Sequence, residues 1–157
     1  VRLDFVTQGE AETEIEATAR ASFNESFAAL QEADERAVKK TVAAFVPSSY
    51  LAEPRLRIEI YRRLARCGSP EGVDAEASAI ADRFGKPPGP LEALILLTKV
   101  RTVAEHKGLI EVVSQGDKLK CQGKDGSYLQ IAGRFPRLQR KQPMAKLKEV
   151  LTFVSRV

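Results

Sequence analysis

The stretch Asp82-Arg83-Phe84-Gly85-Lys86-Pro87-Pro88-Gly89-Pro90 constrains this chain more than any other. Ile80 and Phe84 lie one helical turn apart, Gly85 can take the left-handed conformation that stops a helix, and the prolines after it cannot continue one while suiting the first turn of the next. The fold must therefore hold two helices that meet at a set corner, with Asp82 and Arg83 on its outside.

The flanking helices follow from the same logic. Ser69-Pro70-Glu71 combines an N-cap, a first-turn proline and an early carboxylate, so one helix runs from there to Phe84. Ala75, Ala79, Ile80 and Phe84 give it a thin apolar side, and Glu76 and Asp82 stay polar. Beyond the corner, residues 88–107 carry Leu91, Leu94, Ile95, Leu97, Val100, Val103 and Ala104. A helix apolar over so much of its circumference is expected to be central, with Gly108 as its stop. The only histidine, His106, suits the negative end of that helix, and no second His, Ser or Cys near it in sequence suggests catalysis.

Upstream, Pro54 opens a helix to about Arg66, with Leu56, Ile60 and Leu64 in one row and Ile58, Tyr61 and Ala65 beside it. Arg55, Arg57, Arg62, Arg63 and Arg66 crowd its other sides against Glu53 and Glu59, a net +3. That excess admits a phosphate-binding role for Arg55, Arg62, Arg63 and Arg66. The alternative is intramolecular: Arg57 and Arg62 can pair with carboxylates of the acidic helix or of the next one, to which a guanidinium fork is well suited.

Alternation predicts strands over 1–7 and 39–46, the second ended by Pro47, and a three-stranded antiparallel meander over 109–113, 118–122 and 128–132. Residues 10–38 are rich in Ala and Glu, with Ile15, Ala19, Phe23, Phe27 and Leu30 at helical spacing, an acidic helix with one apolar stripe. A last helix over 143–157 presents Leu147, Val150, Leu151 and Val154 to the sheet. The expected fold is α+β, one compact domain of helices packed on a small, mainly antiparallel sheet. Residues 1–44 form its appended N-terminal strand and acidic helix, and residues 45–157 form the domain proper.

The net charge of +4 hides a segregation: residues 10–37 hold eight acidic and two basic residues, net −6, and residues 134–157 hold seven basic and one acidic, net +6. Cys67 and Cys121 are isolated and lack zinc-ligand spacing, which reads as two free thiols in a reducing compartment. Neither hairpin turn carries a phosphate-loop pattern. No catalytic, metal or cofactor site is therefore expected. No apolar run approaches the roughly 20 residues of a membrane span, and Val1 does not open a leader, so a soluble cytoplasmic protein is expected. The only Met, Met144, suggests a piece of a longer polypeptide.

Four motifs stand in order: Pro47-x-x-Tyr50-Leu51, Arg57-x-x-x-Tyr61-x-Arg63-Leu64-Ala65, Asp82-Arg83-Phe84-Gly85 followed by prolines, and Val100-Arg101-x-x-Ala104 before Gly108. Through them the chain, from about Phe45 to Cys121, resembles the C-terminal domain of bacterial transcription-repair coupling factors, the Mfd family. The resemblance implies a parent that is an ATP-driven DNA translocase, using ATP and Mg outside this fragment, that displaces stalled RNA polymerase from duplex DNA and recruits the excision-repair protein UvrA. It implies that this domain is not an enzyme. Instead it would pack on a UvrB-like N-terminal domain of the same polypeptide and mask the UvrA-binding surface, an autoinhibitory contact in a bacterial cytoplasm. Asp82 matches the family's acidic position at the helix end. Three residues earlier, where the family can present a second carboxylate, this chain has Ala79, and Glu76 one turn further up is the substitute. The resemblance thus implies a partner interface at Asp82 and Glu76. The alternative, from charge alone, is a nucleic-acid-binding module that uses Arg55, Arg62, Arg63, Arg66 and the basic tail.

Overall fold

A computed structural model describes residues 1–8, 41–131 and 133–157. In chain order these form β1 (Val6–Gln8), β2 (Val42–Ala44), α1 (Pro54–Arg66), α2 (Pro70–Phe84), α3 (Gly89–His106), β3 (Leu109–Gln115), β4 (Lys118–Gly123) and α4 (Pro143–Arg156). The fold is α+β, as the patterning predicts. The acidic helix expected over 10–38 lies outside the described residues.

Helix ends sit where local chemistry puts them. The Gly72 N–H donates to the Ser69 hydroxyl at 3.0 Å, capping α2, and Gly85 at φ 90° ends it with its own N–H bonded to the Ala81 carbonyl at 2.9 Å. Prolines open the first turns of α1, α2, α3 and α4, where no intrahelical donor is lost. Gly108, at φ 70°, follows the last turn of α3.

Helix α3 is the spine, with Leu91, Ala93, Leu97, Val100, Val103 and Ala104 all buried. On one side of it Leu3, Phe5 and Ala44, the hairpin residues Val112, Leu119 and Cys121, and Leu147, Val150 and Val154 of α4 form the larger core cluster. A second cluster lies under the helix corner, where Val46, Leu51, Ile60, Leu64, Ile80 and Leu91 meet. Tyr50 and Phe84 are half-buried against it. Truncating a fully buried leucine such as Leu91 to alanine in such a core costs about 2–5 kcal/mol.

The strands form two separate ladders. β3 and β4 pair antiparallel across a turn at Gly116, φ 62°. β1 and β2 pair in parallel, Val6 opposite Val42 and Gln8 opposite Ala44. The Asp4 carboxylate fastens the N-terminal residues to the hairpin, accepting from the Ser114 hydroxyl and the Gly116 N–H, both at 2.5 Å.

Two expectations about elements need correction. The strand expected over 128–132 is reduced to single bridges, Gln122 with Tyr128 and Ile131 with Arg134. Leu129 packs on the larger core and its N–H donates to the Cys121 carbonyl at 2.9 Å, but the pairing goes no further, and Tyr128 and Ile131 are exposed. On α2 the buried row is Val73, Ile80 and half-buried Phe84, while Ala75 and Ala79 are exposed. At 3.6 residues per turn positions 73, 80 and 84 share a face, and positions 75 and 79 fall on the other side.

Candidate partner interface

The corner is held from outside by Tyr50. Its hydroxyl donates to the Gly85 carbonyl at 2.6 Å, and its ring meets Phe84 edge-on with centroids 6.5 Å apart. The Arg83 guanidinium lies over the Phe84 ring, 4.9 Å from its centre. Two consecutive prolines then set the direction of α3. The last turn of α2 is thereby held in one orientation relative to the domain.

Asp82 sits on that turn and is exposed. Among the described residues no side chain pairs with its carboxylate. Helical phase places Ala75, Ser78 and Ala79, all exposed, on the same outward side. Asp82 is thus a lone carboxylate beside short side chains, which lets a partner surface approach closely. The signal for this face was in the sequence as helical phase, once Val73 rather than Ala75 is taken as the inward residue.

Glu76 is placed differently. It is half-buried in the seam between α1 and α2, and Arg63 bridges it at 3.3 Å while reaching Glu59 of its own helix at 3.0 Å. The structure therefore does not bring Glu76 and Asp82 together: one ties α1 to α2, the other faces out. Lys99 of α3 adds a third tie, to Asp74 at 2.5 Å.

The remaining motif residues are absorbed by the fold. Arg57 donates to the carbonyls of Leu51 and Ala52 at 2.7 and 3.0 Å, bracing the loop before α1. The Tyr61 hydroxyl accepts the Val46 N–H at 2.8 Å, which supplies a partner to backbone just past β2. Arg101 of α3 reaches the carbonyls of Leu64, Ala65 and Cys67 at 3.3–3.5 Å, covering the end of α1. His106 Nε2 lies 2.8 Å from the Gly68 carbonyl, which ties the end of α3 to the α1–α2 turn. Sequence spacing could show these side chains as a pattern but not their backbone partners, a donor N–H for Tyr61 and acceptor carbonyls for Arg57 and Arg101.

Of the arginines considered for nucleic acid, Arg55, Arg62 and Arg66 are exposed on one stripe of α1, and Arg63 is engaged by the two glutamates. Cys67 and Cys121 are both free; burial pushes the Cys121 thiol up to about 11. No helix among the described residues is long and apolar enough to cross a membrane.

Comparison with known proteins matches the same region. A family model described as the TRCF domain matches residues 41–133. The transcription-repair-coupling factor of Mycobacterium tuberculosis (strain CDC 1551 / Oshkosh) is 36% identical over 73 residues, which is 46% of this chain and 6% of that protein. That of Haemophilus influenzae is 24% identical over 121 residues, 73% of this chain and 10% of that protein. The chain thus spans only a small part of the length of these relatives. A crystal structure of the C-terminal domain of transcription-repair coupling factor has the same fold, with a TM-score of 0.54 at 17% identity over 72% of this chain and 89% of that one.

Proposed function

This chain belongs to the TRCF domain family, and on that premise we propose that it is a non-catalytic regulatory domain of a transcription-repair coupling factor, acting by protein contact. In this proposal the parent is an ATP-dependent DNA translocase that removes stalled RNA polymerase and recruits UvrA. The domain packs on a UvrB-like domain of the same polypeptide and masks the surface that UvrA would take.

The observation that carries this reading is the standing of Asp82. Every other residue of its motif has a task inside the fold: Phe84 under Tyr50, Gly85 as helix stop, Arg83 over the Phe84 ring. Asp82 alone has none among the described residues. It stands on a turn that the corner holds rigid, which is how a contact group is kept in position without stabilising its own domain. A basic partner surface would be met by this carboxylate.

Magnitude supports a reversible contact. An exposed ion pair contributes roughly 0.2–1 kcal/mol, so a mask built on one carboxylate and a flat small-residue face is opened by any competitor with a few kcal/mol of differential affinity. Glu76 is left out of the contact, because withdrawing it from Arg63 would disturb the α1–α2 seam. The test is deletion of this domain from the full-length protein, followed by titration with UvrA. The masking role predicts tighter UvrA binding after deletion; unchanged affinity would rule it out.

A further inference from the structure

We propose that the outer face of α4, with the segment leading into it, is a second interaction surface, one that takes the phosphodiester backbone of duplex nucleic acid. An open groove of about 800 Å³ runs along this face, lined by Arg140, Lys148, Thr152 and Arg156. A neighbouring groove shares Gln139 and Arg140 with it and adds Lys141.

What distinguishes this surface, among the described residues, is an excess of cations over carboxylates. Glu149 keeps its charge while accepting the backbone N–H groups of Gln139 and Arg140 at 3.0 Å, so it offsets one of the cations Arg140, Lys148 and Arg156, and Asp4 of the neighbouring groove is held by Ser114 and Gly116. Asp117 is paired with Arg137 at 3.5 Å. Arg140, Lys141, Lys148 and Arg156 are exposed, and none has a carboxylate partner among the described residues. Helix α4 opens at Pro143, so the positive end of its dipole adds to the field beside Lys141.

The lining decides the class of partner. A stable protein partner needs apolar anchors buried at the centre of the contact, and among the described residues the groove offers only Ala145 and a half-buried Phe153 that packs into the core. A single strand needs aromatic platforms for its bases, and among the described residues no exposed ring lines the groove. Cations without anchors or platforms suit a duplex backbone, where phosphate contacts supply the affinity. The surface also lies beyond residue 133, where the TRCF match ends, so the family match does not include it.

Four phosphate contacts on B-DNA give a slope of about −3.6 in log K against log salt, a loss of roughly 150-fold between 50 and 200 mM. Fluorescence anisotropy of a labelled duplex of about 20 base pairs with the whole chain measures this. Lys148→Gln with Arg156→Gln should make the slope shallower by about 1.8, and Arg140→Gln with Lys141→Gln should do the same. Arg55→Gln, Arg62→Gln and Arg66→Gln together should leave it unchanged. The proposal is overturned by absence of binding at 50 mM salt, or by slopes that neither α4 pair alters. It is overturned equally by loss of binding in the α1 variant, which would move the contact there. Displacement of the duplex by a lower concentration of an acidic peptide would make this a protein-binding face instead.

Discussion

Replacing Gly85 by alanine tests whether the corner is set by backbone conformation. Gly85 sits at φ 90° and ψ −179°, a region occupied essentially by glycine alone. A Cβ built there meets no atom within 4 Å, so crowding contributes nothing and the whole effect is conformational. Such strain costs about 1–3 kcal/mol. Gly68 supplies the control, since a Cβ there also meets nothing, its φ is not positive and no proline follows it. Gly68→Ala should be neutral or stabilise by up to about 1 kcal/mol, through the unfolded chain. For a domain of this size each kcal/mol moves the midpoint by roughly 2–4 °C, so Gly85→Ala should lower Tm by roughly 2–12 °C while Gly68→Ala does not lower it. Urea unfolding at 25 °C gives the free energies directly. A Gly85→Ala variant within about 0.5 kcal/mol of the control would refute the claim that conformation at this residue orients Asp82.

Two further outcomes follow from the same geometry. Asp82→Ala should change unfolding free energy by less than about 0.5 kcal/mol, because the carboxylate has no partner among the described residues; a larger loss in urea unfolding would make Asp82 a structural residue. Burial holds the Cys121 thiol protonated to a pKa of about 11 against 9.0 when exposed, so the folded chain binds the extra proton between those values. Stability should then fall as pH rises from 9 to 11, by up to about 2.7 kcal/mol, and Cys121→Ala should flatten that part of the pH profile. A disulfide reagent at pH 8 should label Cys67 well before Cys121.

The helices were legible because their ends are local events. Ser69, Gly85, Gly108 and the four opening prolines act within a turn of themselves, and the observed bounds of α1, α2, α3 and α4 follow them. The parallel pairing of β1 with β2 was not legible, since it joins Val6 to Val42 across a long connection. The strand expected at 128–132 failed for the opposite reason. Its alternation is a local pattern, but pairing with β4 stops after Leu129, and Ile131 and Arg134 exchange backbone hydrogen bonds at 2.8 and 3.1 Å in a tight turn instead. On the candidate interface, position fixed Asp82 as outward once the helix and its phase were known. The fate of Glu76 depended on Arg63 of another helix, a distance no spacing reveals.

The central claim is that the exposed carboxylate of Asp82 helps to hold the domain over the UvrA-binding surface of its parent. Asp82→Lys in the full-length protein, titrated with UvrA, tests it most directly. Loss of one exposed ion pair alone is worth roughly 1.4- to 5-fold, and reversal adds repulsion. The account predicts UvrA affinity raised by at least that factor, toward the level of the domain-deleted protein, with Tm of the variant unchanged. UvrA affinity equal to that of the parent, in a variant folded to the same Tm, would contradict it.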